Sequence, residues 1–206
     1  MTIYIPRTRK RPPEIRIGSL CSGYEGIGLA VQALIGGTVA WVADNEPSSA
    51  TVLEERLPGV PNLGDITTTD FRTVEQVNIL TAGFPCQDVS CAGARAGLGE
   101  GTRTGVWTHV ARCIQQQRPD LVLLENVRGL TSAKADCDLE YCEGCMGDRP
   151  DRILRALGAV LADLATLGYD ALWTNIRASD TGAPHRRERI FILGWQPSAT
   201  DAAGDH

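Results

Sequence analysis

Short apolar runs alternate with helical patterns along most of this chain, and that alternation constrains its fold more than any other feature. The run Leu121–Leu124 is apolar at every position, as in a strand that is covered on both faces. Strand–helix repeats of this kind form parallel sheets. The sequence therefore predicts an α/β fold with a doubly wound, mostly parallel sheet, whose ligands bind at the carboxyl ends of the strands.

The apolar runs and helical spacings place the individual elements. Strands are predicted at residues 15–20, 39–43, 62–65, 79–82, 121–125, 171–175 and 190–193, and helices at 27–34, 50–57, 106–114 and 153–167. The last two strands are expected to be neighbours at an edge of the sheet.

Length and charge limit the class of protein. With 206 residues, of which 43% are hydrophobic, the chain can form one sizeable domain, which we place at residues 15–195. Residues 1–14 are expected to be a basic disordered arm, and residues 196–206 a disordered tail. No apolar run reaches the roughly 18 residues of a membrane span, and no signal peptide is visible, so a cytoplasmic protein without membrane contact is expected.

One cysteine stands where an enzyme would present a nucleophile. Cys86 lies in the segment Gly83–Gln87, directly after the predicted strand 79–82. Pro85 restricts the backbone before it, and Gly83 permits a tight turn. This arrangement favours a thiolate that faces a bound substrate over a small buried side chain, and its reactivity requires an environment that lowers the thiol pKa.

Three further strand ends carry residues suited to a nucleotide-like ligand. The turn Ser22–Gly26 follows the first strand, and its glycines allow backbone N–H groups to approach a ligand. Glu46 follows the second strand, where an acidic side chain binds ribose hydroxyls or only favours the start of a helix. Asp65 follows the third, where it accepts a hydrogen bond from an adenine amino group or caps a turn.

A carboxyl group and two arginines complete the predicted edge. Glu125 ends the apolar strand and should emerge beside Cys86, where an apolar rim would keep it protonated as a general acid. Arg187 and Arg189 precede and begin the last strand, and alternation places them on one side. They are either a solvated charge run or a pair that faces an anionic or carbonyl-bearing substrate.

Taken in order, these motifs resemble the DNA cytosine-5 methyltransferases, which use S-adenosylmethionine. The resemblance runs from about residue 15 to residue 195 and implies the Rossmann-like core of class I methyltransferases. The matching residues are Ser22, Gly23, Gly26, Glu46, Asp65, Ile66, the segment Gly83–Gln87, Arg103, Trp107, Glu125, Asn126, Val127, Arg187 and Arg189.

The resemblance implies a role for each residue around the target base. Cys86 would attack C6 of a cytosine flipped out of double-stranded DNA, and Glu125 would bind N3 and the exocyclic amine. Arg189 would contact the base carbonyl, with Arg187 beside it. Gln87, Ser90 and Arg103 would contact DNA.

The resemblance also implies the cofactor contacts. Ser22, Gly23 and Gly26 would hold the methionine part of S-adenosylmethionine, Glu46 its ribose and Asp65 its adenine amine. Ile66 and Pro85 would complete the pocket. The setting implied is bacterial or a phage-infected host, with restriction–modification or phage self-protection as the purpose.

Three departures from the family pattern stand out. Cys21 occupies the place of a phenylalanine that packs on the cofactor, and Glu25 replaces a common glycine. The Glu25 carboxylate is expected either to weaken cofactor binding or to meet the cofactor's amino group. The target-recognition domain and the last helix of the cofactor pocket do not follow the arginine motif. A second polypeptide would then supply target recognition, or the chain would be a non-catalytic remnant.

Two other questions stay open at this point. The same core in a related branch acts on tRNA, although the Gly83–Gln87 segment favours DNA. Cys137, Cys142 and Cys145 have a spacing that can hold zinc, but only three ligands are local. A reduced loop without metal is the alternative.

Overall fold

The computed structural model describes residues 14–84, 105–127 and 156–197. The predicted arm at 1–14 (except residue 14), the cysteine insertion at 131–152 and most of the predicted tail at 196–206 lie outside them. The strands are β1 (Arg16–Leu20), β2 (Thr38–Ala43), β3 (Ile79–Gly83), β4 (Leu121–Val127), β5 (Asp170–Arg177) and β6 (Glu188–Trp195). The helices are α1 (Gly26–Ile35), α2 (Pro47–Arg56), α3 (Val106–Gln117) and α4 (Ala156–Thr166), and a 3-10 turn spans Ala178–Thr181.

The six strands form one sheet in the order β2-β1-β3-β4-β6-β5. β1 to β4 are parallel, and β6 runs antiparallel to both of its neighbours. The carboxyl ends of β1–β4 and the amino end of β6 therefore share one edge. The predicted α/β, mostly parallel sheet is confirmed, as is the pairing of the last two strands at its margin.

Helices cover both faces of the sheet. On one face Val31 of α1 packs with Ile17 and Ile79, and on the other α3 and α4 join the main core around Val122 and Leu124. β4 alternates between these two groups, which explains why its sequence is apolar throughout. The arrangement is doubly wound, as the sequence predicts.

The connection from α2 to β3 differs from the prediction. The expected strand at 62–65 is reduced to a single bridge between Val42 and Asn62. Trp41 anchors the rest of this connection, since its indole packs 5.9 Å from the Phe71 ring and donates to the Glu75 carbonyl at 2.9 Å. Side-chain contacts replace the ladder that a strand would have made.

One stretch of the sheet carries exposed apolar side chains. Leu172 and Ile176 of β5 lie opposite Leu193 and Arg189 of β6, and their side chains are 45% and 39% exposed. Strand alternation puts them on the face that α1 covers further along the sheet. Within the described ranges, no helix is long and apolar enough to cross a membrane.

Candidate active site

Two of the predicted catalytic residues, Glu125 and Arg189, meet at one point of the sheet edge. Arg189 Nε donates to Glu125 Oε1 at 2.7 Å, with both side chains about three-quarters buried at 24% and 22% exposure. The antiparallel pairing of β4 with β6 produces this contact. Arg189 pairs with Val127, which lies two residues after Glu125 on β4. The sheet thus joins two residues that lie far apart in the sequence.

The tip of β3 lies beside this ion pair. Gly83 pairs with Glu125 in the sheet, and a Cβ on Gly83 would stand 3.5 Å from Glu125 Oε2. The buried Asn126 side chain donates to the Phe84 carbonyl at 2.8 Å. Phe84 in turn packs against Trp107, with ring centroids 5.2 Å apart. The chain therefore leaves the sheet next to Glu125, two residues before Cys86.

Several predicted residues lie outside the described ranges and remain predictions. They are Pro85, Cys86, Gln87, Ser90 and Arg103.

Arg187 occupies a different setting from Arg189. It lies one residue before β6 and is exposed, and its carbonyl accepts from the Ala178 amide at 3.1 Å. The structure does not bring its side chain into the Glu125 pair. The prediction that both arginines act on a substrate stays a prediction.

The glycine turn opens at the carboxyl end of β1. Cys21 and Gly23 have positive φ angles of 51° and 53°, which turn the backbone out of the strand. No atom lies within 4 Å of where a Cβ on Gly23 would stand, so this side of the turn is open to a ligand. Burial raises the pKa of the Cys21 thiol to about 11, with a further contribution from the Asp44 carboxylate. The Cys21 thiol is therefore protonated at neutral pH.

Glu25 does not face the ligand side of the turn. Its side chain is buried at 1% exposure, and it accepts a hydrogen bond from Ser19, whose hydroxyl also contacts that of Thr81 at 2.7 Å. A Cβ on Gly28 would overlap the Glu25 carboxylate, so Gly28 provides the space that Glu25 fills. Burial raises the Glu25 pKa, partly offset by hydrogen bonds from Ser19 and Ser22. The expectation that this carboxylate meets the cofactor is wrong.

Asp44, which no sequence motif marks as functional, connects the two predicted ligand-binding turns. Its Oδ2 accepts from the Gly23 amide at 2.8 Å, and its Oδ1 accepts from the Glu46 amide at 3.0 Å. Its position directly after β2 is the sequence signal that could have identified Asp44 as a functional residue. Glu46 caps α2 without a side-chain cap bond. Its exposed carboxylate accepts only from the Ser48 hydroxyl among the described residues, at 3.3 Å.

The third predicted cofactor element is the loop that carries Asp65 and Ile66. Asp65 Oδ1 accepts from the Thr67 amide at 2.8 Å, and hydrogen bonds from Thr67 lower the Asp65 pKa. The carboxylate is therefore ionised at neutral pH and has acceptor capacity left for a donor. Ile66 is 7% exposed and supports the loop from the core side.

These residues fit S-adenosylmethionine. An open glycine turn follows β1, the exposed carboxylate of Glu46 follows β2, and the ionised acceptor Asp65 follows the Asn62 bridge beside β2. They suit a ligand with a polar end, a ribose and an amine-bearing ring. The described residues hold no cluster of His, Cys, Asp and Glu that could bind a metal. Cys137, Cys142 and Cys145 lie outside them, so the zinc prediction stays untested.

Comparison with solved structures supports the fold. The Dnmt2 methyltransferase of S. pombe superimposes with a TM-score of 0.65 over 93% of this chain and 53% of that chain. Its sequence identity is 18%, so this likeness concerns the fold alone.

Sequence comparison supports the family. Two Type II methyltransferases, M.NlaIV of Neisseria lactamica and M.NgoBV of Neisseria gonorrhoeae, are each 33% identical over 193 residues. Both matches cover 91% of this chain and 43% of the relative, so the chain spans less than half the length of these curated relatives. The family model for C-5 cytosine-specific DNA methylases matches residues 15–202. The chain therefore belongs to the C-5 cytosine-specific DNA methylase family.

Proposed function

We propose that this chain carries the catalytic residues of an enzyme that transfers a methyl group from S-adenosylmethionine to C5 of cytosine in DNA. The observation that supports this most is the Glu125–Arg189 pair, 2.7 Å apart, beside the tip of β3 that leads to Cys86. A restriction–modification role is proposed from the Type II relatives. Family membership alone does not establish activity, because the chain matches 43% of their length.

The proposed reaction begins with the Cys86 thiolate. Its sulfur adds to C6 of a flipped-out cytosine and makes C5 electron-rich. S-adenosylmethionine, held by the Gly23 turn, Glu46 and Asp65, would supply C5 with the methyl group of its positively charged sulfur and would leave as S-adenosylhomocysteine. A base then removes the C5 proton, and the sulfur of Cys86 leaves C6 to restore the aromatic ring.

Glu125 would donate a proton to N3 of the cytosine ring. Charge develops at N3 when the sulfur adds to C6, and a carboxyl group that protonates N3 lowers that barrier. Arg189 Nε occupies Glu125 Oε1, which leaves Oε2, on the Gly83 side, for the base. We therefore propose that Arg189 holds the carboxyl rotamer as well as contacting the base carbonyl.

On the cofactor side, we propose three contacts with S-adenosylmethionine. The Gly23 turn would receive the methionine part, Glu46 the ribose hydroxyls and Asp65 the adenine amine. Asp44 holds the first two of these turns in register through the Gly23 and Glu46 amides.

Target recognition would come from a second polypeptide. The exposed apolar side chains Leu172 and Ile176 on the α1 face offer a surface on which it could pack. Co-purification with the product of a neighbouring reading frame, lost in the double variant L172K/I176K, would support this proposal. A fully active isolated chain would refute it.

A mechanism-based substrate tests the catalytic proposal. Duplex DNA with 5-fluorocytosine should trap Cys86 covalently in the presence of labelled S-adenosylmethionine, because the fluorine at C5 cannot leave as a proton does. The adduct should disappear in C86S and persist in C91S, which changes a cysteine five positions further on.

The same experiment addresses the alternatives. Parallel incubation with 5-fluorocytosine RNA would reveal the tRNA-type reaction if only RNA were trapped. Absence of both adduct and cofactor binding, alone and with the neighbouring gene product, would identify a non-catalytic remnant.

A further inference from the structure

The side chain of Arg112 on α3 donates hydrogen bonds to three carbonyls of the loop that carries Asp65 and Ile66. Its Nη2 donates to the Ile66 carbonyl at 2.6 Å and to the carbonyls of Thr67 and Thr69 at 3.2 Å each. Few side chains can serve three acceptors at once, and the charge of the guanidinium strengthens each bond. Arg112 thereby fixes the curvature of this loop.

This contact matters because the loop has few other hydrogen bonds to the rest of the fold beyond Asn62, which bonds to Asp44, and the buried Ile66 is its main core contact. The bridge between Val42 and Asn62 is its one ladder contact with the sheet in the described residues. Asp65 and Thr67–Thr69 make local turn bonds only, through the Thr67 amide and the hydroxyls of Thr68 and Thr69. The orientation of the loop relative to the sheet thus depends on α3.

Neighbouring residues of α3 hold the next part of the same connection, which sets Arg112 apart. Gln116 Oε1 accepts from the Phe71 amide at 3.0 Å, and Gln117 Nε2 donates to the Phe71 carbonyl at 2.5 Å. These two residues fix the segment after the loop, whereas Arg112 reaches the loop itself. The Arg112 guanidinium also lies 6.0 Å from the Phe71 ring centroid, which limits its rotation.

We propose that Arg112 is a positioning residue for the adenine side of the cofactor site, acting through the carbonyls behind Asp65 and Ile66. The inference rests on the proposed function, since the loop's ligand is the adenine of S-adenosylmethionine. Asn62 ties the start of this connection to the backbone of Asp44, whose side chain also holds Gly23 and Glu46. Loss of Arg112 would free the part of the loop beyond Asn62, so that Asp65 could move relative to Gly23 and Glu46. Loss of the hydrogen bond between the Asp65 carboxylate and the adenine amine would weaken binding by about tenfold to a hundredfold.

Calorimetric binding of S-adenosylmethionine to the full chain, with its partner polypeptide if one is required, tests this. R112M should weaken binding by about tenfold to a hundredfold. The competitor 5′-methylthioadenosine, which lacks the amino-acid part, should lose the same factor. KM for the cofactor should rise, while kcat at saturating cofactor and KM for DNA stay within about twofold.

The matched control is R72M. Arg72 belongs to the same connection and is exposed, and its side chain pairs with Asp70 at 2.9 Å rather than with loop carbonyls. R72M should bind S-adenosylmethionine as the wild type does.

The outcomes separate this inference from the proposed function. No cofactor binding in the wild-type protein would overturn both. A binding wild type with unchanged affinity in R112M would overturn the inference alone, as would a rise in KM for DNA equal to that for the cofactor. Should R112M not fold, R112Q decides, because the glutamine side chain is polar but lacks both the charge and the length that bring Nη2 to the three carbonyls. Wild-type affinity in R112Q would overturn the inference.

Discussion

The two halves of the candidate site are built in different ways. On the cofactor side, β1 and β2 end in turns held by bonds from backbone amides to a carboxylate, as between Gly23 and Asp44 at 2.8 Å. On the base side, β4 and β6 present charged side chains to each other, as between Arg189 and Glu125. The first half shapes a pocket with its main chain, and the second places reactive groups.

This difference predicts different consequences of mutation. Side-chain changes on the base side should abolish chemistry and leave the fold intact, because Glu125 and Arg189 lie at the rim of the sheet. Changes on the cofactor side should alter stability together with affinity, because the turns share their hydrogen bonds with buried groups.

The largest effect should follow E125Q. A glutamine keeps a hydrogen bond to Arg189 but cannot give a proton to N3, so kcat should fall by about 10²- to 10⁴-fold. The melting temperature should change little. Single-turnover methylation and a thermal melt on the same sample measure both, and E188Q, which alters another carboxylate at the start of β6, is the control. Equal losses in E125Q and E188Q would refute the assignment.

On the cofactor side, G28A should destabilise the fold by about 3 kcal/mol, because the added methyl group overlaps the buried Glu25 carboxylate. The double variant E25G/G28A should recover most of this loss. E25G empties the space, and a glycine accepts the φ of 65° at that position without strain. Urea unfolding of the wild type, both single variants and the double variant gives the coupling energy. Strictly additive effects would contradict the overlap.

Asn126 of β4 connects the base side to the end of β3, because its side chain donates to the Phe84 carbonyl. It is buried at 1% exposure. N126A should lose about 1–2 kcal/mol of stability because that carbonyl loses its partner. N126A should also lower kcat, because Phe84, whose carbonyl loses its partner, lies two residues before Cys86 in the chain. Denaturant unfolding and methylation rates measure the two effects. A stability loss without a rate change would limit Asn126 to a structural role.

The smallest effect concerns pH and Glu25. Burial raises its folded pKa above the value in the unfolded chain, so the unfolded chain releases this proton first as pH rises. The stability linked to Glu25 is then fully present below its unfolded pKa and decreases as pH rises towards and through the folded pKa. E25Q should lack this component. Unfolding free energies from pH 4 to 8 should therefore show the wild type losing stability relative to E25Q, and parallel curves would disprove it.

Much of this protein was readable from its sequence. The periodicity of apolar residues was sufficient to predict the α/β class and the strands β1, β3 and β4, because hydrophobic alternation and helical spacing are local properties. The order of Glu46, Asp65, Cys86, Glu125 and Arg189 was sufficient for the family resemblance. The prediction of a short strand at 62–65 was wrong, because a strand must pair with a neighbouring strand and only Asn62 does so, through its bridge to Val42.

Tertiary structure decided how those residues meet. Strand register brings Arg189 to Glu125, and local alternation alone could not show that Arg187 stays outside this pair. The burial of Glu25 depends on the space above Gly28, which belongs to the packing of α1 on β1. The sequence by itself determined which chemical groups reach the sheet edge, because strand ends are local. Only the fold determined which of them touch, because register, burial and long-range hydrogen bonds join residues that are distant in the chain.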